Sequence, residues 1–160
     1  MHLTQRTNRR MISTVLEMTF RLLFRPRRAK LAQERCGVMR DLLSVSKALA
    51  DENRLRIVAA LHGRELCLCQ IVELLGLATS TVSRHTSILH QARLVQARKQ
   101  GRWTYFRLDK EAPAVAEEAM ALVVRALKAD SQVREDRKRL TQILKIDPED
   151  LCRKQSECRS

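Results

Sequence analysis

Aromatic residues are almost absent from this chain of 160 residues, which has one Trp, one Tyr and three Phe. Apolar residues still make up 44% of it. The core must therefore be aliphatic, and we expect it to be helical, because aromatic residues favour strands. No run of about 18 uninterrupted apolar residues occurs, so the sequence predicts no membrane-spanning helix. The length suits one domain, or one domain with tails.

The features of a small thiol enzyme are missing as well. The chain has no Cys-x-x-Cys motif, no obvious base beside its cysteines and no Gly-rich substrate loop. These absences argue against a reductase, and we predict that the protein is not an enzyme.

A secretion signal is also absent. The apolar stretch at residues 11–24 is interrupted by Glu17 and Arg21, and basic residues follow it instead of a small-residue cleavage site. We therefore expect a cytoplasmic protein whose five cysteines are kept reduced. Reduced thiols are available to a soft ion.

Positive charge is abundant and unevenly placed. The net charge is +13, of which residues 1–40 contribute +8, residues 41–110 contribute +5 and residues 111–160 contribute nothing. Such an excess indicates a polyanionic partner. We expect the specific nucleic-acid site in the middle block.

The sequence divides into three parts. We interpret residues 1–38 as a basic N-terminal arm that is disordered, or that is upstream sequence not natively translated if the natural start lies near Met39. Residues 39–130 are predicted to form a DNA-binding and dimerisation domain, and residues 131–160 a C-terminal helix with a polar tail.

Hydrophobic spacing predicts a mainly α fold with a two-stranded β-wing, a winged helix-turn-helix. The predicted helices are Asp41–Ala50, a helix from its cap Asp51 through Leu61, Cys67–Leu75, a helix from Thr79 or Ser80 to about Ala92, Glu111–Ala129 and Ser131–Leu144. Asp147–Asp150 is expected to begin a final turn. Leu94–Lys99 and Trp103–Leu108 alternate like strands of a hairpin.

The fourth predicted helix has the surface of a recognition helix. Val82 and Leu89 face inward, which leaves short polar residues, including Thr86, and one Arg on the outer face. Arg pairs with guanine, and Ser or Thr contacts base edges or phosphates. The predicted DNA contacts on this helix are Ser80, Thr81, Ser83, Arg84 and His85. His85 also suits a packing role.

The hairpin adds positive charge beside that helix. Arg98, Lys99 and Arg102 surround its tip, where they suit phosphates or the minor groove. Trp103 and Tyr105 are interpreted as packing residues. Helix, glycine turn, helix and basic hairpin together predict binding to double-stranded operator DNA.

Several stretches make the chain similar to the ArsR/SmtB family of metal-responsive repressors. They are LADENRLRIVAAL at Leu49–Leu61, ELCLCQI at Glu65–Ile71 and STVSRHTSILHQARLVQARKQGRWTYFRL at Ser80–Leu108. The Cys-Leu-Cys pair resembles the arsenical-resistance repressors. The resemblance implies a homodimer through the first and fifth helices, and arsenite as the inducer.

Cys67 and Cys69 are the predicted sensor. Residues two apart on a regular helix point about 200° from each other. An ion that binds both thiolates must therefore distort the helix that supports the recognition helix. Thiolates select soft ions, and trivalent arsenic or antimony prefers three sulfurs.

The third sulfur departs from the family pattern, because Val72 occupies the position where the arsenic type has a third cysteine. Cys36, Cys152 and Cys158 are the candidates, and we favour Cys152. As(III) or Sb(III) is the expected inducer, with no tightly bound cofactor.

Two alternatives keep the same fold. One is a repressor that responds to cadmium or lead, and the other is a thiol-oxidation sensor that uses Cys67 and Cys69 as a redox pair. A zinc site on the long C-terminal helix is not expected, because Glu111–Ala129 contains no His.

An apolar surface predicts the dimer seam. It combines Leu42, Leu43 and Val45 of the first predicted helix with Val115, Leu122, Val123 and Ala126 of the fifth. Two units related by a twofold axis would contact half-sites about one DNA turn apart.

Overall fold

A computed structural model of the chain describes residues 27–157, with side chains for residues 37–155. The chain separates into two compact units, Met1–Gly37 and Val38–Ser160. Only the start of one helix is described in the first unit, and the second unit contains the core. Most of the predicted N-terminal arm, residues 1–26, lies outside the described residues.

Helices dominate the described part of the chain. Seven α-helices and one 3-10 turn are present there: α1 Arg27–Leu49, α2 Glu52–Ala60, α3 Leu68–Leu75, α4 Thr79–Gln91, α5 Ala114–Ala126, the 3-10 turn Leu127–Ala129, α6 Ser131–Ile143 and α7 Pro148–Glu157. Within residues 27–157, no helix combines the length and apolar character needed to cross a membrane.

Helix α1 begins much earlier than the sequence predicted. The expected start was Asp41, whereas the helix runs from Arg27. Residues 27–36 are rich in good helix formers, and Gly37 alone costs too little to end the helix. The last part of the predicted arm is therefore helical.

The core is aliphatic, as the composition predicted. It joins α1, α2, α3, α4 and the strands through fully buried Ile, Leu and Val side chains, among them Ile57, Val58, Leu61, Leu66, Ile71, Leu74, Val82, Leu89 and Leu94. Asp51 caps α2, as predicted, and its carboxylate accepts a hydrogen bond of 3.0 Å from the backbone N–H of Arg54.

The sheet has one strand more than predicted. The two wing strands, β2 Val95–Gln100 and β3 Trp103–Leu108, form the expected antiparallel hairpin. A two-residue strand, β1 Leu66–Cys67, pairs with the other edge of β3 and gives the order β1-β3-β2. Two residues are too few to show an alternating pattern, so the sequence placed Cys67 in a helix.

A glycine turn connects α3 to α4. Gly76 has a φ of +66°, the left-handed conformation that ends helices readily at glycine, and its N–H bonds to the carbonyl of Val72. Helix α4 begins at Thr79 after Ala78, without the side-chain cap expected from Thr79 or Ser80. The two helices pack against each other, and the hairpin follows α4 directly.

The C-terminal region is more helical than predicted. The predicted helix Glu111–Ala129 begins only at Ala114, because Pro113 precedes it, and it ends in the 3-10 turn. Helix α6 matches the prediction. The expected final turn at Asp147 extends into helix α7, which packs on α3.

Candidate nucleic-acid interface and cysteine site

Helix α4 presents a polar face to solvent at its N-terminal end. Val82 and Leu89 are completely buried, as predicted, and anchor the opposite face. The exposed side chains of the first turns are those of Ser80, Thr81, Ser83 and Arg84. The side chains of this face are short and polar apart from one guanidinium group, and such groups can pair with base edges in the major groove.

Thr86 does not belong to this face, contrary to the prediction. It is 2% exposed, and its hydroxyl donates to the carbonyl of Ser83 at 3.0 Å. The reason is helical spacing, since Thr86 lies four residues after Val82 and three before Leu89. The polar surface of α4 is consequently narrower than the sequence suggested.

His85 lies between two helices. Its Nδ1 is 3.6 Å from the carboxylate of Asp51 and 3.5 Å from the guanidinium of Arg54, and its side chain is 13% exposed. These contacts connect α4 to the beginning of α2. They favour the packing role over the predicted DNA contact, which stays a prediction.

The wing carries its predicted cations, and two of them are paired. The carboxylate of Glu65, just before β1, accepts two hydrogen bonds from Arg98, at 2.7 and 3.2 Å. The bonded guanidinium lowers the pKa of Glu65. Arg98 also lies 5.2 Å from the ring centroid of Tyr105.

Arg102, at the wing tip, forms an ion pair with Glu149 on α7 and lies 4.8 Å from the ring centroid of Trp103. Tyr105 and Trp103 therefore support the wing cations, in line with the packing role expected for them. Lys99 is exposed and, among the described side chains, no ion pair involves it.

Cys67 lies at the junction of β1 and α3. It has an extended backbone, pairs with Tyr105 of β3 and is 1% exposed. Its N–H donates to the side chain of Gln70 at 2.9 Å. Burial raises the pKa of its thiol. The argument from two thiols on one regular helix is therefore wrong for Cys67, whose direction is set by the strand.

Cys69, in the first turn of α3, is joined to Cys152 of α7. Their sulfurs form a disulfide, with 5.6 Å between the Cα atoms. The side-chain amide of Gln155 donates to the carbonyl of Cys69 at 3.0 Å and strengthens the same junction. The sequence favoured Cys152 as the partner of the cysteine pair, although it expected reduced thiols.

The structure brings together two of the three predicted sulfur ligands. Among the described residues, no group of three His, Cys, Asp or Glu side chains is placed to hold a metal ion. Cys67 is buried apart from the joined pair as a free thiol. The side chains of Cys36 and Cys158 lie outside the described residues.

Two acidic residues that pair with cations of the wing were not predicted from the sequence. Glu65 and Glu149 neutralise Arg98 and Arg102, and each acid is far from its partner along the chain. Glu65 stands two residues before Cys67, which was its only signal in the sequence, and nothing pointed to Glu149. The cysteine segment and the wing are thus connected on both sides, through β1 and through α7.

The family model of bacterial regulatory proteins of the arsR family matches residues 51–97. An arsenic resistance transcriptional regulator of Pseudomonas putida is 39% identical over 82 residues, which is 48% of this chain and 63% of that protein. A second such regulator from the same organism is 34% identical over 85 residues, 51% of this chain and 72% of that protein.

A cadmium resistance regulatory protein homologue of Staphylococcus aureus is 37% identical over 73 residues, 44% of this chain and 60% of that protein. The chain therefore spans a little under two thirds of the first relatives that it matches.

A solved structure has the same fold. It is the homodimeric winged helix-turn-helix DNA-binding domain of a possible ArsR-family transcriptional regulator from Mycobacterium bovis. The likeness has a TM-score of 0.50 and 29% identity, and it covers 57% of this chain and 83% of that one. The predicted winged helix-turn-helix fold is confirmed, and the matching family model describes regulatory proteins rather than enzymes.

Proposed function

Because the chain belongs to the arsR family of bacterial regulatory proteins, we propose that it is a cytoplasmic repressor that binds double-stranded operator DNA as a homodimer and releases it when arsenite or antimonite binds its cysteines. The observation that carries the proposal is the position of the joined cysteines, between the helix that supports α4 and a helix that touches the wing.

DNA binding rests on the two surfaces next to each other. The N-terminal half of α4 offers Ser80, Thr81, Ser83 and Arg84 to base edges. Its opposite face is buried in the core. Lys99 offers charge to the adjacent phosphates, and Arg98 and Arg102 add to it when they exchange their acidic partners for phosphate. Each surface alone is small, so we expect two copies to be needed for tight binding.

The dimer seam is proposed on exposed apolar residues of α1 and α5. Leu42, Leu43 and Leu122 are 48–55% exposed although they are large and apolar. Such a patch favours burial against a second copy. Val45 and Val123, which the sequence also placed there, are buried within the subunit core instead. The homodimeric Mycobacterium bovis domain supports the same assembly.

The sulfur atoms suit a soft ion. Cys69 and Cys152 already lie in contact, and a thiophilic ion bound to both thiolates would connect α3 to α7 as the disulfide does. Cys67 precedes Cys69 by two residues along the chain. Burial raises the pKa of its thiol, which therefore gives up a proton less readily. We propose Cys69 and Cys152 as the primary ligands and Cys67 as the third, recruited when the start of α3 rearranges.

A cadmium- or lead-responsive repressor is the second candidate. The similarity to a cadmium resistance regulator supports it, and such ions also prefer thiolates. The two candidates differ in the number of sulfurs required, because cadmium and lead take three or four.

Operator release tests the proposal. The reduced full chain is titrated onto fluorescent DNA from upstream of its own gene, with arsenite, cadmium, zinc or peroxide added separately. Arsenite should raise the dissociation constant by about 5- to 150-fold, the usual allosteric range. Release by cadmium alone would favour the second candidate, and release by peroxide alone would contradict both.

Variants assign the residues in the same assay. Cys69→Ser should bind DNA and ignore arsenite, whereas Cys158→Ser should respond normally. Arg84→Ala should weaken binding by about 1–3 kcal/mol and lower the sequence preference if Arg84 reads a base. Arg139→Ala removes an exposed guanidinium from α6 and serves as its control. Equal losses on all sequences would make Arg84 a phosphate contact.

A further inference from the structure

The sulfur pair lies where a small oxidant can reach it. Cys152 lines a surface cavity of about 400 Å³ together with Arg102, Trp103, Glu149 and Arg153. Cys69 and Cys152 are both half-buried rather than sealed in the core, unlike Cys67. We propose that Cys69 and Cys152 are a reversible oxidation site for hydroperoxides, and that their disulfide holds Glu149 of α7 against Arg102 so that the wing loses a DNA contact.

The backbone is already arranged for the bond. The Cα atoms of Cys69 and Cys152 are 5.6 Å apart, within the range of about 4.4–6.8 Å that a disulfide spans. Gln155 fixes the α7 side of this junction by its hydrogen bond to the Cys69 carbonyl. Oxidation therefore requires no large movement of α3, and the disulfide differs from the Cys67–Cys69 redox pair that the sequence suggested.

The chemistry is that of a two-cysteine peroxide sensor. The Cys152 thiolate attacks one oxygen of hydrogen peroxide, the O–O bond breaks, and hydroxide leaves and is protonated to water. The Cys69 thiolate then attacks the sulfenic sulfur, the S–S bond forms, the S–O bond breaks, and the second oxygen leaves as water. The two thiols lose two electrons and two protons in total, and a low-molecular-weight thiol reverses the bond by exchange.

Among residues 148–155, most side chains of helix α7 are exposed or half-buried. Leu151, 2% exposed, is its one fully buried side chain among residues 148–155. The cysteine pair, the Gln155 hydrogen bond and the Glu149–Arg102 ion pair also attach it to the rest of the domain. A covalent tie at Cys152 consequently decides how much of the time α7 stays docked.

Docking of α7 competes with DNA for one guanidinium. A phosphate and the Glu149 carboxylate are both anions that bind Arg102, and Glu149 tethered nearby has a high effective concentration. When the disulfide is open, α7 can leave and Arg102 is released to a phosphate. This inference rests on the proposed function in one respect, namely that the wing binds DNA.

The experiment compares the reduced and the peroxide-treated full chain on the DNA from upstream of its own gene. Oxidation should weaken binding by about 10-fold, within the allosteric range, and dithiothreitol should restore it. The slope of log affinity against log salt should become shallower by about 0.9 for each lost phosphate contact. Peptide mass spectrometry should find Cys69 joined to Cys152.

Matched variants separate formation of the Cys69–Cys152 disulfide from the loss of DNA affinity that it causes. Cys152→Ser should not respond to peroxide, whereas Cys158→Ser should respond as the wild type does. Glu149→Gln should form the disulfide and yet keep most of its DNA affinity. Asp150→Asn, which removes the neighbouring charge that pairs with Arg153, should lose affinity like the wild type.

The inference is overturned by unchanged DNA affinity in protein shown to carry the disulfide, by oxidation that joins other cysteines, or by an affinity loss in Glu149→Gln as large as in the wild type. The Glu149→Gln result does not depend on the folding of a cysteine variant.

Release by arsenite but not by peroxide overturns this inference alone. Release by peroxide but not by arsenite overturns the metalloid part of the proposed function alone, and a reduced protein that never binds DNA overturns both.

Discussion

The two C-terminal helices differ in how they are attached to the helix-turn-helix. Helix α6 packs against α2 and α3 and buries Val133, Leu140 and Ile143. It also places Asp136, 5% exposed, in a two-pronged ion pair with Arg56, with N···O distances of 2.7 and 2.8 Å. Helix α7 packs on α3 through one buried Leu, a sulfur pair and surface polar contacts.

This difference separates a structural helix from a regulatory one. Because it buries several aliphatic side chains against α2 and α3, we expect α6 to unfold together with the helix-turn-helix. Helix α7 buries one apolar side chain and is attached by a disulfide, which can be reduced, and by a surface ion pair. Such a helix is suited to change position. The candidate sensor cysteine Cys152 lies on α7, the weakly attached helix.

The strongest test of the comparison is Leu140→Ala in α6. Leu140 is 1% exposed, so its truncation leaves a cavity and should lower the free energy of unfolding by about 2–5 kcal/mol. Urea unfolding monitored by circular dichroism measures this free energy. Leu144→Ala, at a position 44% exposed, should change stability by less than about 0.5 kcal/mol. Equal effects of the two substitutions would refute the view that α6 belongs to the core.

Asp136→Asn tests the ion pair of the same helix. It leaves the Arg56 guanidinium largely buried beside a neutral amide, which should cost about 3 kcal/mol, the lower end for a buried pair. Arg56 stays charged without its partner, because a guanidinium does not give up its proton in proteins, so loss of the Arg56 charge cannot relieve the penalty. Asp150→Asn breaks an exposed pair on α7 and should cost at most about 1 kcal/mol. A larger loss for Asp150→Asn would reverse the comparison.

Leu151→Ala tests the attachment of α7. In the reduced protein the cavity should cost about 2 kcal/mol, but the helix can detach instead of unfolding the domain. We expect faster proteolysis and amide exchange in residues 148–157, with little change in the urea midpoint. Lys154→Ala, an exposed change in the same helix, is the control. A cooperative loss of stability in the whole domain would show that α7 is structural.

The smallest effect on stability is expected at Arg98, the paired wing cation that does not contact α7. Arg98 is held by Glu65, whose pKa lies below its ordinary 4.5 in the folded protein. Their pair therefore stabilises the fold above pH 4.5, and the stabilisation is lost as the pH falls through the lowered pKa of Glu65. Thermal melts of wild type and Glu65→Gln should differ slightly at neutral pH, less in high salt, and converge in acid. A difference that persists in acid would point to packing rather than charge.

Much of the fold could be predicted from local patterns. The cap at Asp51, the stop at Gly76, the spacing of Val82 and Leu89 and the alternation of the wing strands each depend on a few neighbouring residues. The four exposed residues of the recognition helix follow from the same spacing. Strand β1 could not be predicted, because two residues have no period and their pairing partner lies on β3.

The candidate site was predictable in its parts and not in its arrangement. Cys69 and Cys152 were recognised as sulfur ligands by type, while the burial of Cys67 and the ion pairs of Glu65 and Glu149 depend on residues distant in sequence. Thr86 and His85 show the same limit, since a polar residue on a helix faces solvent only where no other helix covers it.

The sequence by itself determined the helix-turn-helix, the hairpin, the charge and the presence of thiols, because these follow from spacing along the chain and from residue type. Only the tertiary structure decided which sulfurs meet, which wing cations are paired and which helix is weakly held. Those outcomes depend on segments separated by up to 86 residues, brought together when the apolar faces of α3, α6 and α7 pack.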